Sequence, residues 1–120
     1  MSDELTTKEE VAYSFLESAV FLDKARGVDN RGDLKRALDY NVMIWIFFKN
    51  NVALAEKGAL SESASHISNI SDFMTRSAIR VQKSFDDELI GLMVTLNLNM
   101  CERFLSEPFD GLHVIRSAIN

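Results

Sequence analysis

ALDYNVMIWIFF, Ala37 to Phe48, is the stretch on which the fold of this 120-residue chain turns. Seven residues in unbroken succession, Val42 to Phe48, are apolar. The run is dense in β-branched and aromatic residues, which suits a central strand. Its flanks argue for a helix instead, because DLKRALD before it and NNVALAEKG after it continue a helical pattern without a turn signal. A helix that is apolar all the way round must be covered on several sides. Burying each Ile, Phe or Met fully stabilises by roughly 1.5–3 kcal/mol. Leaving several exposed creates the kind of patch that marks interaction sites or causes aggregation. The segment is therefore the central element of a small core, or part of it is kept for a partner.

Working outward, the rest of the chain is also helical in pattern. One Pro and five Gly leave few breakers. Thr7 followed by Glu10 forms a capping-box pattern, and Val11, Phe15, Ala19 and Leu22 recur at helical spacing. A first helix is expected from about Lys8 to Arg26, stopped by Gly27, with residues 1–6 as a flexible N-terminus. Asp33 is a candidate N-cap for a second helix, about Leu34 to Lys57, which Gly58 ends. The Ser-rich stretch Ser61 to Ser71 has linker composition, but Ile67, Ile70, Phe73, Met74, Ala78 and Val81 keep helical spacing, predicting a third helix over Glu62 to Lys83. Ser84 or Asp86 can cap a fourth, carrying Leu89, Leu92, Met93, Leu96, Met100 and Phe104 and ending before Pro108. Phe109, Leu112, Ile115 and Ile119 suggest a short amphipathic tail helix in the extension 108–120. The expected fold is all-α: one domain over residues 1–120, a bundle of about four helices with a short tail helix.

Composition bounds the function. With 47% apolar and 26% charged residues the chain is in the globular range. A net charge of −5 and a pI near 5.0 argue against direct nucleic-acid binding, which needs clustered Lys and Arg. Cys101 is the single cysteine, so no intramolecular disulfide forms. The polar start MSDELTTKEE is unlike a signal peptide, and the longest apolar run is far short of a membrane span. A cytoplasmic protein is the expectation, with no membrane association.

The search for chemistry finds little. Glu62 and His66 stand four apart, and two residues do not make a metal site. His113 stands alone in the tail. Cys101 sits by the apolar stripe of the fourth helix, where a free cysteine acts as a small hydrophobe. Asp86, Asp87 and Glu88 read as a helix N-terminus. No phosphate loop or dinucleotide fingerprint is present. No enzyme, metal or cofactor is expected.

Two polar residues interrupt apolar helices. Asn41 precedes Trp45 by one turn, and Asn97 lies between Leu96 and Leu98. Each either flanks the core and faces water, or ties its helix to another helix or to a bound peptide backbone. A buried amide left unpaired costs on the order of 1–3 kcal/mol, so burial demands a partner.

These residues carry a resemblance to the FlaF family, small bacterial proteins of flagellar biosynthesis. The family pattern of a Leu, an aromatic or polar residue, an Asn, and a Trp four positions on is similar to Ala37-Leu38-Asp39-Tyr40-Asn41 followed by Trp45. A second block resembles Ser65 to Ile70, continuing through Phe73 to Ile79, and a third resembles Leu89 through Asn97 and Met100. The likeness runs from about Leu16 to Phe104. There are departures. Val42 and Met43 stand where family members often carry basic residues, and Gly58-Ala59-Leu60 replaces a loop that usually contains Pro. Ser77 replaces a common His, Arg103 a small residue, and the tail from Pro108 extends past the usual end.

The resemblance implies a non-enzymatic role: binding flagellin and promoting its synthesis or export, in opposition to or alongside a FlbT-like regulator. Flagellin termini are amphipathic segments, which an apolar groove would shield. Candidate groove residues are Ile44, Phe47, Phe48, Met93 and Met100, since methionine suits adaptable surfaces. Filling the core is the commoner role for each of them singly. Asn41, Trp45 and Asn97 complete the candidate partner-binding set, with Trp45 expected in the core and Phe47 or Phe48 at the interface. The alternative is an interaction module whose apolar second helix forms a homodimer core, with no flagellar role.

Overall fold

The run Val42–Phe48 is helical, as its flanks require. The computed structural model describes residues 3–27, 31–55 and 62–106, and these form α1 (Asp3–Arg26), α2 (Arg31–Ala55), α3 (Glu62–Lys83) and α4 (Asp87–Ser106). Among the described residues there is no strand, and no helix is long and apolar enough to cross a membrane. The described residues form an all-α four-helix bundle.

The boundaries differ from expectation at two starts. α1 begins at Asp3 rather than Lys8. α2 begins at Arg31, which moves Asp33 from the cap into the first turn. Its carboxylate remains favourable at that end and accepts a hydrogen bond from Arg36. At the start of α4 the cap is Asp86, whose Oδ1 accepts from the Leu89 amide at 3.1 Å. The tail helix, Lys57 and Gly58 lie outside the described residues.

Successive helices run antiparallel. Phe21 meets Tyr40 while Phe15 meets Phe48, so α2 runs back along α1. Arg26 at the end of α1 meets Asp87 at the start of α4. α1 packs extensively on α4 and also on α2, and α2 packs on α3. α3 and α4, although joined by three residues, touch sparingly. They part to leave a cleft of about 460 Å³ between His66 and Ile70 on one side and Leu96, Asn99 and Met100 on the other.

The core is organised around the opening segment. Phe15 lies against Trp45 and Phe48 with ring centroids 4.8 and 5.3 Å away, and Trp45 and Phe48 are 6.1 Å apart in an edge-to-face arrangement. Such pairs add about 0.5–1.5 kcal/mol beyond area burial. Leu22, Leu38, Met74, Ile90 and Met93 fill the remaining space and are fully buried.

One clamp fixes the register of α1 on α4. The Arg26 guanidinium donates from Nε and Nη2 to the two carboxylate oxygens of Asp87, each at 2.8 Å, and from Nη2 to its carbonyl at 3.1 Å. The pairing raises the Arg26 pKa and holds the Asp87 carboxyl below its ordinary value. Gly91 makes the close approach possible, because a Cβ there would stand 3.2 Å from Nη2 of Arg26.

Candidate functional site

The two amides flagged by the sequence meet in the centre of the bundle. Asn41 and Asn97 are both fully buried, as are Ser18 and Trp45. The Trp45 indole Nε1 donates to Asn97 Oδ1 at 2.7 Å. Asn97 Nδ2 donates to Asn41 Oδ1 at 2.8 Å and, more weakly, to Ser18 Oγ at 3.4 Å. Ser18 Oγ donates to the same Asn41 Oδ1 at 2.8 Å, and Asn41 Nδ2 reaches the Met74 sulfur at 3.2 Å. α1, α2, α3 and α4 each contribute at least one member.

The direction of every bond follows from one group. An indole N–H can only donate, so the Asn97 atom facing it must be the oxygen. That turns the Asn97 NH2 toward Asn41, which must then present its own oxygen. The Asn41 NH2 is left pointing at Met74, a weak acceptor. Among the described residues no buried side-chain nitrogen or oxygen lacks a partner. A closed network of this kind is stabilising only while every member is present.

Six of the eight candidate partner-binding residues are therefore interior. Asn41, Trp45, Asn97 and Met93 are fully buried, and Phe48 and Met100 nearly so. Placing Phe48, Met93 and Met100 in an open groove is corrected by this burial. Phe48 occupies the ring cluster with Phe15, and Met93 and Met100 point into the core from α4. The helical turn explains the error, since Phe48 follows Trp45 by three residues and shares its face. Asn41 and Asn97 do not face water; they tie the helices together and are out of reach of a peptide in the closed bundle. Ile44 is half-buried against the core. Phe47 alone of the set is open, at 62% exposure.

Sequence reasoning missed Ser18 and the role of Met74. Ser18 falls between Phe15 and Leu22 on the buried stripe of α1, and a lone hydroxyl on such a stripe was the available signal. Met74 was assigned to the core, but only the fold places its sulfur against an amide.

Outside the centre, the surface carries two features of note. A second cleft, about 410 Å³, lies between α1 and α2 and is lined by Phe21, Lys24, Ala25, Asp33, Arg36, Ala37 and Tyr40. Tyr40 Oη donates to Glu17 Oε1 at 2.6 Å; burial, followed by that bond, pushes its pKa up to about 12. Cys101 is buried, which raises its thiol pKa and disfavours the reactive thiolate. His66 is exposed on α3. Among the described residues no three His, Cys, Asp or Glu side chains group as metal ligands.

Comparison of the chain with family models, with curated proteins and with solved structures finds no match.

Proposed function

We propose that the chain is a non-enzymatic, cytoplasmic regulator of flagellum biosynthesis that binds flagellin and promotes its synthesis or export. The reading rests on the resemblance to the FlaF family carried by Asn41, Trp45 and Asn97. The observation that supports it best is that Asn41 and Trp45 both bond directly to Asn97, up to 56 positions away. A motif whose members converge on one cluster behaves as a unit, which is what a shared structural signature requires. The fold also leaves Met43, Ile46 and Phe47 of the apolar segment on the outside, at 58%, 41% and 62% exposure. Exposed apolar residues beside a rigid core are the material of a helix-binding surface.

In this reading the network holds the shape and the outer flank of α2 meets the partner. Titration of purified flagellin into the protein, followed by calorimetry, tests it. Saturable heat with a Kd in the micromolar range is expected; no heat at tens of micromolar contradicts it.

A further inference from the structure

α3 and α4 are consecutive in the chain yet form the weakest seam between neighbouring helices, because α4 packs mainly on α1. The cleft left between them is apolar inside and polar at the rim. Ile70 and Leu96 are half-buried and Met100 is 5% exposed, whereas His66, Asn99, Glu102 and Arg103 stand at the surface. Its α4 wall runs from Leu96 to Arg103, over about 10 Å of the last turns of that helix. Its α3 wall is His66 and Ile70, in the first half of α3. The cleft therefore lies at the end of the bundle where α4 stops.

Residues 107–120 follow α4 in the chain. Pro108 has no amide hydrogen to continue that helix, and it disfavours helix at Glu107, so these two residues suit a turn. Beyond them Phe109, Leu112, Ile115 and Ile119 recur at helical spacing, with Asp110 favoured in the first turn. A helix of about twelve residues is marginal alone in water, and Gly111 weakens it further, so it needs a surface to cover its stripe. A two-residue connection sends a helix back antiparallel along the one before it. On that path Phe109, Leu112 and Ile115 climb about 9 Å, matching the α4 wall of the cleft. α1 already covers the other flank of α4.

The tether decides between occupants. A segment joined by so short a connection meets the cleft at an effective concentration in the millimolar range. A free partner or a second copy needs roughly 800 Å² a side for a stable interface, more than a cleft of two helical turns offers.

We propose that residues 109–119 dock as a fifth helix in the α3–α4 cleft, antiparallel to α4, with Phe109, Leu112 and Ile115 over Ile70, Leu96 and Met100. The inference is independent of the flagellin reading and involves neither Met43 nor Phe47. The full chain carries the test. A nitroxide attached through Ser117→Cys, in a Cys101→Ala background, stands on the face of the tail opposite its apolar stripe. In isotope-labelled protein it should broaden the amide signals of Ile70, Phe73 and Leu96. Those of Lys24 and Tyr40, at the α1–α2 cleft, should keep their intensity. Adding Leu112→Glu should restore the broadened signals, whereas adding Asp110→Asn, off the stripe, should leave them broadened. A synthetic peptide of residues 107–120 then supplies the tail in trans. It should shift the amides of Ile70, Leu96 and Met100 in the Leu112→Glu variant, and bind the wild type at least tenfold more weakly because the attached tail holds the cleft. Absent or uniform broadening from the Ser117 probe, or equal peptide binding by wild type and variant, overturns the proposal. Broadening of labelled, untagged protein by admixed unlabelled, tagged protein also overturns it, because the occupant is then the tail of a second copy.

Discussion

Replacing Asn97 with Ala tests the buried network at its centre. The amide accepts from the Trp45 indole at 2.7 Å and donates to Asn41 at 2.8 Å. After truncation Asn41 Oδ1 still receives Ser18, but the indole N–H has no partner in a fully buried site. That orphaned donor costs about 1–3 kcal/mol. The vacated amide leaves a small cavity that adds about 1 kcal/mol. The expected loss is about 2–4 kcal/mol, a large share of the 5–15 kcal/mol typical of a domain. At about 4 °C per kcal/mol, Tm falls by about 8–16 °C. Urea unfolding followed by far-UV circular dichroism measures this loss without relying on tryptophan emission. A double-mutant cycle with Trp45→Phe isolates the bond. In the Asn97→Ala background the second change removes the orphan, so the pair should show a coupling of about 1–2 kcal/mol. A loss below about 0.5 kcal/mol, or costs that add within that margin, would refute the reasoning.

Other outcomes follow from the same geometry. Phe48→Ala should cost about 3–5 kcal/mol by emptying the ring cluster, while Phe47→Ser should stay within about 0.5 kcal/mol of wild type, both read from urea midpoints. The Asp87 carboxyl is lowered by Arg26, so its contribution is present above the ordinary Asp range and is lost as pH falls through the folded value. Asp87→Asn should therefore lower stability at neutral pH, with the difference from wild type closing as pH falls below about 4. The Tyr40 pKa is raised to about 12 from 10.0, so its contribution is complete below pH 10.0 and declines as pH rises toward 12. Tyr40→Phe should remove that alkaline decline, and absorbance titration in a Tyr13→Phe background should place the Tyr40 midpoint near 12. Cys101 should resist thiol reagents in the native protein and react rapidly in denaturant.

The helices were legible because the sequence obeys local rules. The regular stripes of the third and fourth helices and the sparse breakers all point one way, whereas the capping-box pair Thr7 and Glu10 falls inside α1 and marks no start. Boundaries slipped at Asp3 and Arg31, because the cap-type residues Thr7 and Asp33 fall inside the helices instead of starting them. The site was half legible. Asn41 and Asn97 announce themselves as polar residues in apolar stretches, but their mutual contact depends on α2 and α4 sharing the bundle centre, which one-dimensional periodicity does not fix. Phe48 and Met93 show the limit from the other side. In an all-apolar run each residue looks like surplus, and only the helical phase set by Trp45 separates Phe48 inside from Phe47 outside. Arg26 and Asp87, 61 positions apart, gave no sign of pairing in the sequence.

Trp45 is the single tryptophan, so the protein has one indole N–H resonance and no assignment ambiguity. Its hydrogen–deuterium exchange in the free protein measures directly whether the four helices are tied through Asn97. A locked indole should exchange only through global unfolding, at a rate that matches the urea-derived stability. Exchange complete within the dead time of the experiment, in protein that is otherwise folded, would contradict the account.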